Sequence, residues 1–329
     1  MCEISMTENI KITRVTPQFL VFLVDESESM KGLEKSNEMK NTLNQLIADL
    51  IERSLDISGF RNYFYVSIFG YGGDIGKDAA IRDLFNCKEN APDEVKSASI
   101  RSIKQIFQFG KTKETPDGIE SDRVKFRAEG LTPMKEAFSR AGDLIKRWHD
   151  EAEDIILDAN PQLASIGKRF PPPIIINITD GRYDNIKSGE PVELDETRSP
   201  EPEIRKITAD ERYNDLFDAP VVMNIHLNSS AKDTEYETAA KLPFPMEKPD
   251  VKEDPYVAKL WELSSYLTPT MLTSLSNYGD FTDVTPFDKR KAFMYNASSS
   301  ELLALLLVGT GSATRPSITL IRETPVKRA

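Results

Sequence analysis

Apolar residues follow two patterns along the chain, and each pattern predicts a different kind of element. Short, almost wholly apolar runs occupy 18–25, 63–71, 174–179 and 221–228, and such runs are typical of parallel strands buried on both faces of a sheet. Between them, apolar residues recur at intervals of three and four, most regularly in 134–148, which predicts amphipathic helices. This alternation predicts an α/β fold with a doubly wound, mostly parallel central sheet flanked by helices, of the Rossmann-like kind.

Weaker patterns fill the gaps between these elements. They predict a helix at 35–55, an edge strand at 80–85, a short helix at 100–107, a polar loop at 111–122, a helix at 257–275, a strand at 292–296 and a final apolar helix at 298–308. No polar linker separates two independently cored halves, so we expect one domain at 16–310, an N-terminal extension at 1–15 and a C-terminal tail at 311–329. A charged stretch with three prolines, 187–212, is predicted to be a surface loop inserted in the domain.

The composition mainly excludes classes of partner and a membrane-spanning segment. The 329 residues include 53 Asp and Glu against 42 Lys and Arg, which gives a formal net charge of −11. Nucleic acids and anionic membranes attract basic surfaces, so neither is an expected partner. Only two cysteines occur, which is typical of a reducing compartment, and the apolar runs are too short to span a bilayer. We therefore expect a soluble, cytoplasmic protein.

Polar residues follow the ends of two predicted buried strands. Asp25, Ser27 and Ser29 form the pattern D-x-S-x-S after the first strand, and Asp180 follows a second one. Ligands of open α/β sheets bind at the carboxyl ends of the strands, so we expect these side chains to converge, together with Thr132, the predicted N-cap of the long helix. Helix capping explains a lone D-x-S-x-S equally well, but the three segments together predict a metal site.

All five predicted ligands supply oxygen atoms, which favour Mg²⁺, Mn²⁺ or Ca²⁺ over Zn²⁺. Two carboxylates and three hydroxyls make a compact site, which favours Mg²⁺ and leaves Mn²⁺ and Ca²⁺ open. Because the two carboxylates balance a dication, at least one coordination position is left for water or an outside ligand. The sequence therefore predicts a cation that binds a Glu or Asp of a partner protein. Glu26 and Glu28 alternate with the ligands and are expected to be solvated.

Three other functions compete with this prediction. A Mg²⁺-dependent phosphohydrolase is one alternative, because phosphoaspartyl enzymes also place an aspartate after a buried strand. They usually have a second aspartate two residues later, where this chain has Ser27, and no lysine or histidine is evidently placed as an acid or base. A nucleotide site is disfavoured, since no glycine-rich phosphate loop follows the first strand. A metal with a purely structural role stays open.

Three separated segments carry a resemblance to a known family: they read FLVDESESM, EGLTPM and INITDG. Their order and spacing resemble the von Willebrand factor A (vWA) domain with its metal-ion-dependent adhesion site. The resemblance implies that Asp25, Ser27, Ser29, Thr132 and Asp180 hold the cation, some directly and some through water. It also implies a non-enzymatic protein–protein interaction module.

A finer resemblance rests on the motif Thr-Pro-Met at 132–134 and on the segments VVMNIHLNSS and LWELSSYL. These resemble intracellular bacterial vWA proteins of the tellurium-resistance and signalling type, which are often associated with kinases and phosphatases in signalling or stress-response operons. A kinase or phosphatase of the same operon is therefore an implied partner. In some members of the family, ligand binding displaces the last helix, which here corresponds to 298–308.

Overall fold

The computed structural model describes the central part of the chain with several gaps. The described residues are 12, 16–31, 33–56, 59–72, 81–115, 118–159, 170–180, 197–209, 218–227, 242–249, 255–276, 281 and 283–295. The predicted final helix and the C-terminal tail lie outside them, as do most of the N-terminal extension and residues 187–196 and 210–212 of the predicted insertion.

Strands and helices alternate through the described residues, as the apolar pattern predicts. The strands are β1 (Gln18–Asp25), β2 (Leu55–Asp56), β3 (Gly59–Phe60), β4 (Phe64–Tyr71), β5 (Ile81–Asp83), β6 (Arg101–Ser102), β7 (Thr112–Thr115), β8 (Gly118–Ser121), β9 (Ile174–Thr179), β10 (Val221–His226), β11 (Leu242–Pro243) and β12 (Phe293–Tyr295). The α-helices are α1 (Leu33–Arg53), α2 (Asp93–Ser97), α3 (Ile103–Phe109), α4 (Met134–Ala159), α5 (Glu201–Thr208), α6 (Pro255–Leu263) and α7 (Pro269–Ser276). A 3-10 helix, Glu28–Lys31, follows β1.

The main sheet has the strand order β11-β12-β10-β9-β1-β4-β5, and β6 also pairs with β4. The five adjacent strands β12, β10, β9, β1 and β4 are parallel to one another. Strand β11 pairs antiparallel with β12, and β5 and β6 pair antiparallel with β4. The chain passes from β1 to β4 on one side and later to β9 on the other, so the strand order reverses between β1 and β9. The predicted doubly wound, mostly parallel sheet is confirmed, and its reversal point, where such sheets bind ligands, lies beside Asp25.

Helices cover both faces of the sheet because each central strand is apolar on both sides. Alternate residues of β1 point to opposite faces. Leu20 and Phe22 join one buried cluster with side chains of α1, α3 and α7. Phe19 and Val21 join a second cluster with side chains of α4, α5 and α6. Both helical layers thus stabilise the strand that carries Asp25 to the edge of the sheet.

Two segments differ from the sequence-based prediction for reasons that local patterns do not reveal. Segment 111–122 was expected to be a loop, but β7 and β8 form an antiparallel pair there, apart from the main sheet. Its residues are mostly polar, so no apolar alternation marks the strands. The single helix expected at 257–275 is two helices, α6 and α7, since Pro269 begins the second one and disfavours a helical residue before it.

The predicted surface insertion also contains a helix that the sequence did not indicate. Helix α5 begins directly after Pro200, and Ile204 and Ile207 are buried against the cluster that contains α4. Two apolar residues three apart are too short a pattern to distinguish a helix from a loop. Among the described residues, no helix has the length and apolar character needed to cross a membrane.

Candidate functional site at the reversal of strand order

The loop after β1 folds tightly back on the last residue of the strand. The N–H of Ser27 donates a hydrogen bond of 2.8 Å to Oδ1 of Asp25, which is fully buried. The N–H of Met30 donates to the carbonyl of Ser27 at 3.0 Å within the 3-10 turn. The hydroxyl oxygens of Ser27 and Ser29 lie 2.9 Å apart. One carboxylate and two hydroxyls are therefore presented on a single turn.

Asp180 joins this turn from the neighbouring strand. Strands β1 and β9 are parallel and adjacent, so their carboxyl ends lie side by side. The hydroxyl of Ser29 donates a hydrogen bond of 3.0 Å to Oδ1 of Asp180. The hydroxyl of Thr179 donates one of 2.7 Å to Oδ2 of Asp25. The structure thus brings together Asp25, Ser27, Ser29 and Asp180, which we call the carboxylate cluster.

Thr132 lies on a third loop, which backbone hydrogen bonds hold against the first. The N–H of Glu129 donates to the carbonyl of Glu26 at 2.6 Å. The N–H of Glu28 donates to the carbonyl of Gly130 at 2.9 Å. These two contacts place the segment leading to Thr132 beside the carboxylate cluster.

The hydroxyl of Thr132 does not cap helix α4, contrary to the sequence-based prediction. The first main-chain hydrogen bond of the helix runs from the N–H of Ala137 to the carbonyl of Pro133. Thr132 is buried, with 7% of its surface exposed. Within the described part of the chain, no hydrogen bond joins its hydroxyl to the carboxylate cluster. The structure therefore places Thr132 on a loop held against that of Asp25, with no hydrogen bond from its hydroxyl to the described cluster residues.

Two carboxylates share this buried space with only neutral donors. Burial, and then the nearby charge of Asp180, raise the pKa of Asp25 from 3.8 to about 7, although hydrogen bonds from Ser27 and Thr179 oppose the rise. The second oxygen of Asp180, Oδ2, is buried and has no hydrogen-bond partner among the described residues. Buried acceptors are almost always satisfied, so this oxygen marks a place where a hydrogen-bond donor or a cation is expected.

A buried polar network lies beside the cluster and also supplies no positive charge. The hydroxyl of Tyr71 donates to Oδ1 of Asn177 at 2.7 Å, and Nδ2 of Asn177 donates to Oδ1 of Asn224 at 2.9 Å. Burial and then the charge of Asp25 raise the pKa of Tyr71 well above its ordinary value of 10.0. Tyr71 is therefore a neutral hydrogen-bond donor at physiological pH.

The donor set of the cluster fits a small divalent cation. Carboxylate and hydroxyl oxygens are ligands that Mg²⁺ and Mn²⁺ prefer, and the unsatisfied Oδ2 of Asp180 is available to one. No group of three or more His, Cys, Asp or Glu side chains is placed to hold a metal ion among the residues that the structure describes, and the cluster itself has only two, Asp25 and Asp180.

Sequence reasoning missed two residues that shape the site. Glu28 is exposed, as expected, but the prediction that Glu26 is solvated is wrong, since only 2% of its surface is exposed. Oε1 of Glu26 accepts hydrogen bonds from the guanidinium of Arg82 and from the N–H of Arg127. Thr179, which donates a hydrogen bond to Asp25, was also missed. Its position at the end of an apolar run, directly before Asp180, is the sequence signal that could have indicated it.

Fold and site together define a doubly wound α/β domain with an oxygen-rich cluster at the reversal of its strand order. No family model matches the sequence, and no curated protein matches it. Membership of the vWA family, which the three motifs indicate, therefore stays a prediction.

Similar solved structures include a pilus adhesin, a thread matrix protein and the TRAP protein. The pilus adhesin SpaC from Lactobacillus rhamnosus GG is 11% identical over 92% of this chain and 31% of its own, with a TM-score of 0.44. Proximal thread matrix protein 1 from the mussel byssus is 14% identical over 91% of this chain and 48% of its own, with a TM-score of 0.38. The manganese-loaded TRAP protein from Plasmodium vivax is 16% identical over 75% and 70%, with a TM-score of 0.29. The chain thus spans about a third and about half the length of the first two, and these distant likenesses do not bear on the site.

Proposed function

We propose that this chain is a non-enzymatic binding module in which a divalent cation holds an acidic residue of a partner protein. The observation that carries the proposal is the buried pair of carboxylates, Asp25 and Asp180, linked through Ser27 and Ser29 and compensated by no basic side chain among the described residues. Asp25, Ser27, Ser29, Thr132 and Asp180 would hold the cation. Mg²⁺ suits this donor set best, and Mn²⁺ or Ca²⁺ are the alternatives.

The charge and the exposure of the cluster support an outside carboxylate as its ligand. Two carboxylates balance a dication and the hydroxyls add no charge, so a bound cation would supply an attractive centre for an anionic oxygen. Asp25 is fully buried, whereas Ser29 is exposed to solvent. The cluster is therefore reached from the side of Ser29. A Glu or Asp side chain is the group on a protein surface that fits such a centre.

A binding role is favoured over a hydrolytic one by what surrounds Asp25. Ser27 stands where phosphoaspartyl enzymes usually have a second aspartate. In the described part of the chain, no lysine or histidine hydrogen-bonds to the carboxylate cluster as a general acid or base would. The resemblance of the sequence to bacterial signalling proteins supports a cytoplasmic partner, and a kinase or phosphatase of the same operon is our proposal for it.

The first test is calorimetric titration of the metal-free protein with Mg²⁺. Asp25→Ala and Asp180→Ala are expected to weaken binding more than about 100-fold, because even residues outside the first ligand shell are worth 10–100-fold. Asp93→Ala is the matched control, since Asp93 is an exposed aspartate in helix α2. Wild-type affinity in both cluster variants would show that the cation binds elsewhere.

The second test concerns the partner. A pull-down with the wild-type protein in Mg²⁺, in EDTA and with Asp25→Ala is expected to capture a partner in the first condition only. Capture that survives EDTA would contradict metal-mediated recognition. Metal binding without any captured partner would favour a structural cation, and phosphatase activity that vanishes with Asp25→Ala would favour the hydrolase.

A further inference from the structure

Glu26 is a buried carboxylate at the junction of three segments, although it is flanked in sequence by two predicted ligands. Its backbone N–H donates to the carbonyl of Tyr71 at 2.8 Å, at the end of β4. Its carbonyl accepts from the N–H of Glu129 at 2.6 Å. Its side-chain Oε1 accepts from the N–H of Arg127 and from the guanidinium of Arg82 on β5. One residue thus connects the loop after β1, the end of β4, strand β5 and the loop before α4.

Glycines make room for this arrangement. A Cβ on Gly70 would clash with Oε2 of Glu26, so the carboxylate in its present position occupies the space that a side chain on this residue would fill. A Cβ on Gly72 would lie 2.6 Å from the carbonyl oxygen of Glu26 and 2.9 Å from that of Glu129. The side chain and the backbone of Glu26 therefore each occupy a closely fitted space.

We infer that Glu26 is a positioning residue that sets the preference of the site for Mg²⁺ over Ca²⁺, an inference that rests on the proposed function. Glu26 does so by fixing the loop of Thr132 against the loop of Asp25. Mg²⁺ requires near-ideal octahedral geometry at roughly 2.0–2.1 Å, whereas Ca²⁺ accepts flexible shells at roughly 2.3–2.6 Å. Two loops held at a fixed separation favour the smaller ion. Loops free to move apart lose that advantage but still hold Ca²⁺.

The test compares Glu26→Gln with the wild-type protein by calorimetric titration with Mg²⁺ and with Ca²⁺. Gln has nearly the same shape but loses the ionic contact with Arg82. We expect the affinity for Mg²⁺ to fall about tenfold, as is usual when the support of a metal ligand is lost. We expect the affinity for Ca²⁺ to change less than about threefold, because its shell adapts. The ratio of the two affinities is the decisive readout, since a general loss of stability would not change it.

Asp83→Asn is the matched control. Asp83 follows Arg82 on β5 and pairs with the buried Arg101 at 2.7 Å, away from the carboxylate cluster. The control is expected to lower the melting temperature in EDTA and to leave the ratio of affinities unchanged. If the wild-type protein binds the cations and Glu26→Gln keeps the wild-type ratio, the positioning role is wrong while the proposed function stands. If the wild-type protein binds neither cation, both are wrong.

A second variant decides the matter if Glu26→Gln does not fold. A Cβ on Gly72 would be too close to the carbonyls of Glu26 and Glu129, so Gly72→Ala should displace this backbone without changing any charge. The same fall in preference for Mg²⁺ is expected from this backbone displacement. An unchanged ratio in a folded Gly72→Ala protein would overturn the inference.

Discussion

Asp25 and Glu26 are neighbours in sequence and both are buried, but their charges have different surroundings. The carboxylate of Glu26 accepts hydrogen bonds from the guanidinium of Arg82 and from a backbone N–H. Among the described residues, the carboxylate of Asp25 accepts hydrogen bonds from Ser27 and Thr179, which are both neutral. The charged group that acts most strongly on Asp25 is another carboxylate, that of Asp180.

The charge of Glu26 is paired inside the chain and stabilises the fold, whereas the charge of Asp25 is available to a ligand. An ionised carboxylate is costly to bury unless it is paired. Arg82 supplies that pairing for Glu26 inside the chain. Asp25 must receive it from outside, either as a proton, in line with its raised pKa of about 7, or as a bound cation. Two adjacent acidic residues can thus have opposite roles, which the identity of the side chains alone does not reveal.

The largest effect is expected from removing the internal partner of Glu26. Arg82→Met leaves a carboxylate with 2% exposure without its cation, and losing one member of a buried ion pair costs about 3 kcal/mol. The free energy of unfolding, measured by urea denaturation in EDTA, should fall by that amount. Arg127→Met is the control: the side chain of Arg127 is 66% exposed and pairs with an exposed glutamate, its backbone N–H donates to Glu26, and its charge acts on Glu26 less strongly than that of Arg82. An equal fall in the free energy of unfolding of the two variants would mean that the pairing of Glu26 with Arg82 stabilises the fold no more than an exposed ion pair does.

The parts of the site that sequence could predict are those fixed by long apolar runs. Strand β1 has the predicted bounds, Gln18–Asp25, because eight consecutive buried residues leave few alternatives. Asp180 follows β9 as predicted, and the topology of doubly wound sheets then brings the two aspartates to one edge. The meeting of Asp25, Ser27, Ser29 and Asp180 was therefore predictable from pattern and topology together.

The pairing of Glu26 could not be predicted in the same way. Its partner Arg82 lies 56 positions later on a short edge strand, and no periodicity connects the two. A glutamate between two ligands is typical of a solvated turn, so its burial depends on tertiary contacts alone. Helix α5 was missed for a related reason, since its burial depends on contact with the cluster around α4 and not on its own short pattern.

The next effect concerns the proton that competes with the cation at Asp25. The folded, metal-free protein keeps a proton up to about pH 7 that the unfolded chain releases near pH 4. The folded state therefore binds more protons between these values, and its free energy of unfolding falls as the pH rises from about 4 to about 7. Below pH 7 a cation must displace that proton, so the affinity for Mg²⁺ should weaken about tenfold per pH unit. Titrations with Mg²⁺ at pH 6, 7 and 8 measure this, and an affinity independent of pH would show that Asp25 is ionised without the metal.

The smallest effect is expected at Thr132, where it should appear only with metal present. Because the Thr132 hydroxyl has no hydrogen bond to the carboxylate cluster in the described residues, the isosteric change Thr132→Val should alter the metal-free stability by less than about 0.5 kcal/mol. The affinity for Mg²⁺ should fall roughly fivefold, the value of one net polar contact of about 1 kcal/mol. Thr132→Ser, which keeps the hydroxyl, should retain most of the affinity. Wild-type affinity in Thr132→Val would remove Thr132 from the ligand set and leave the carboxylate cluster as the whole site.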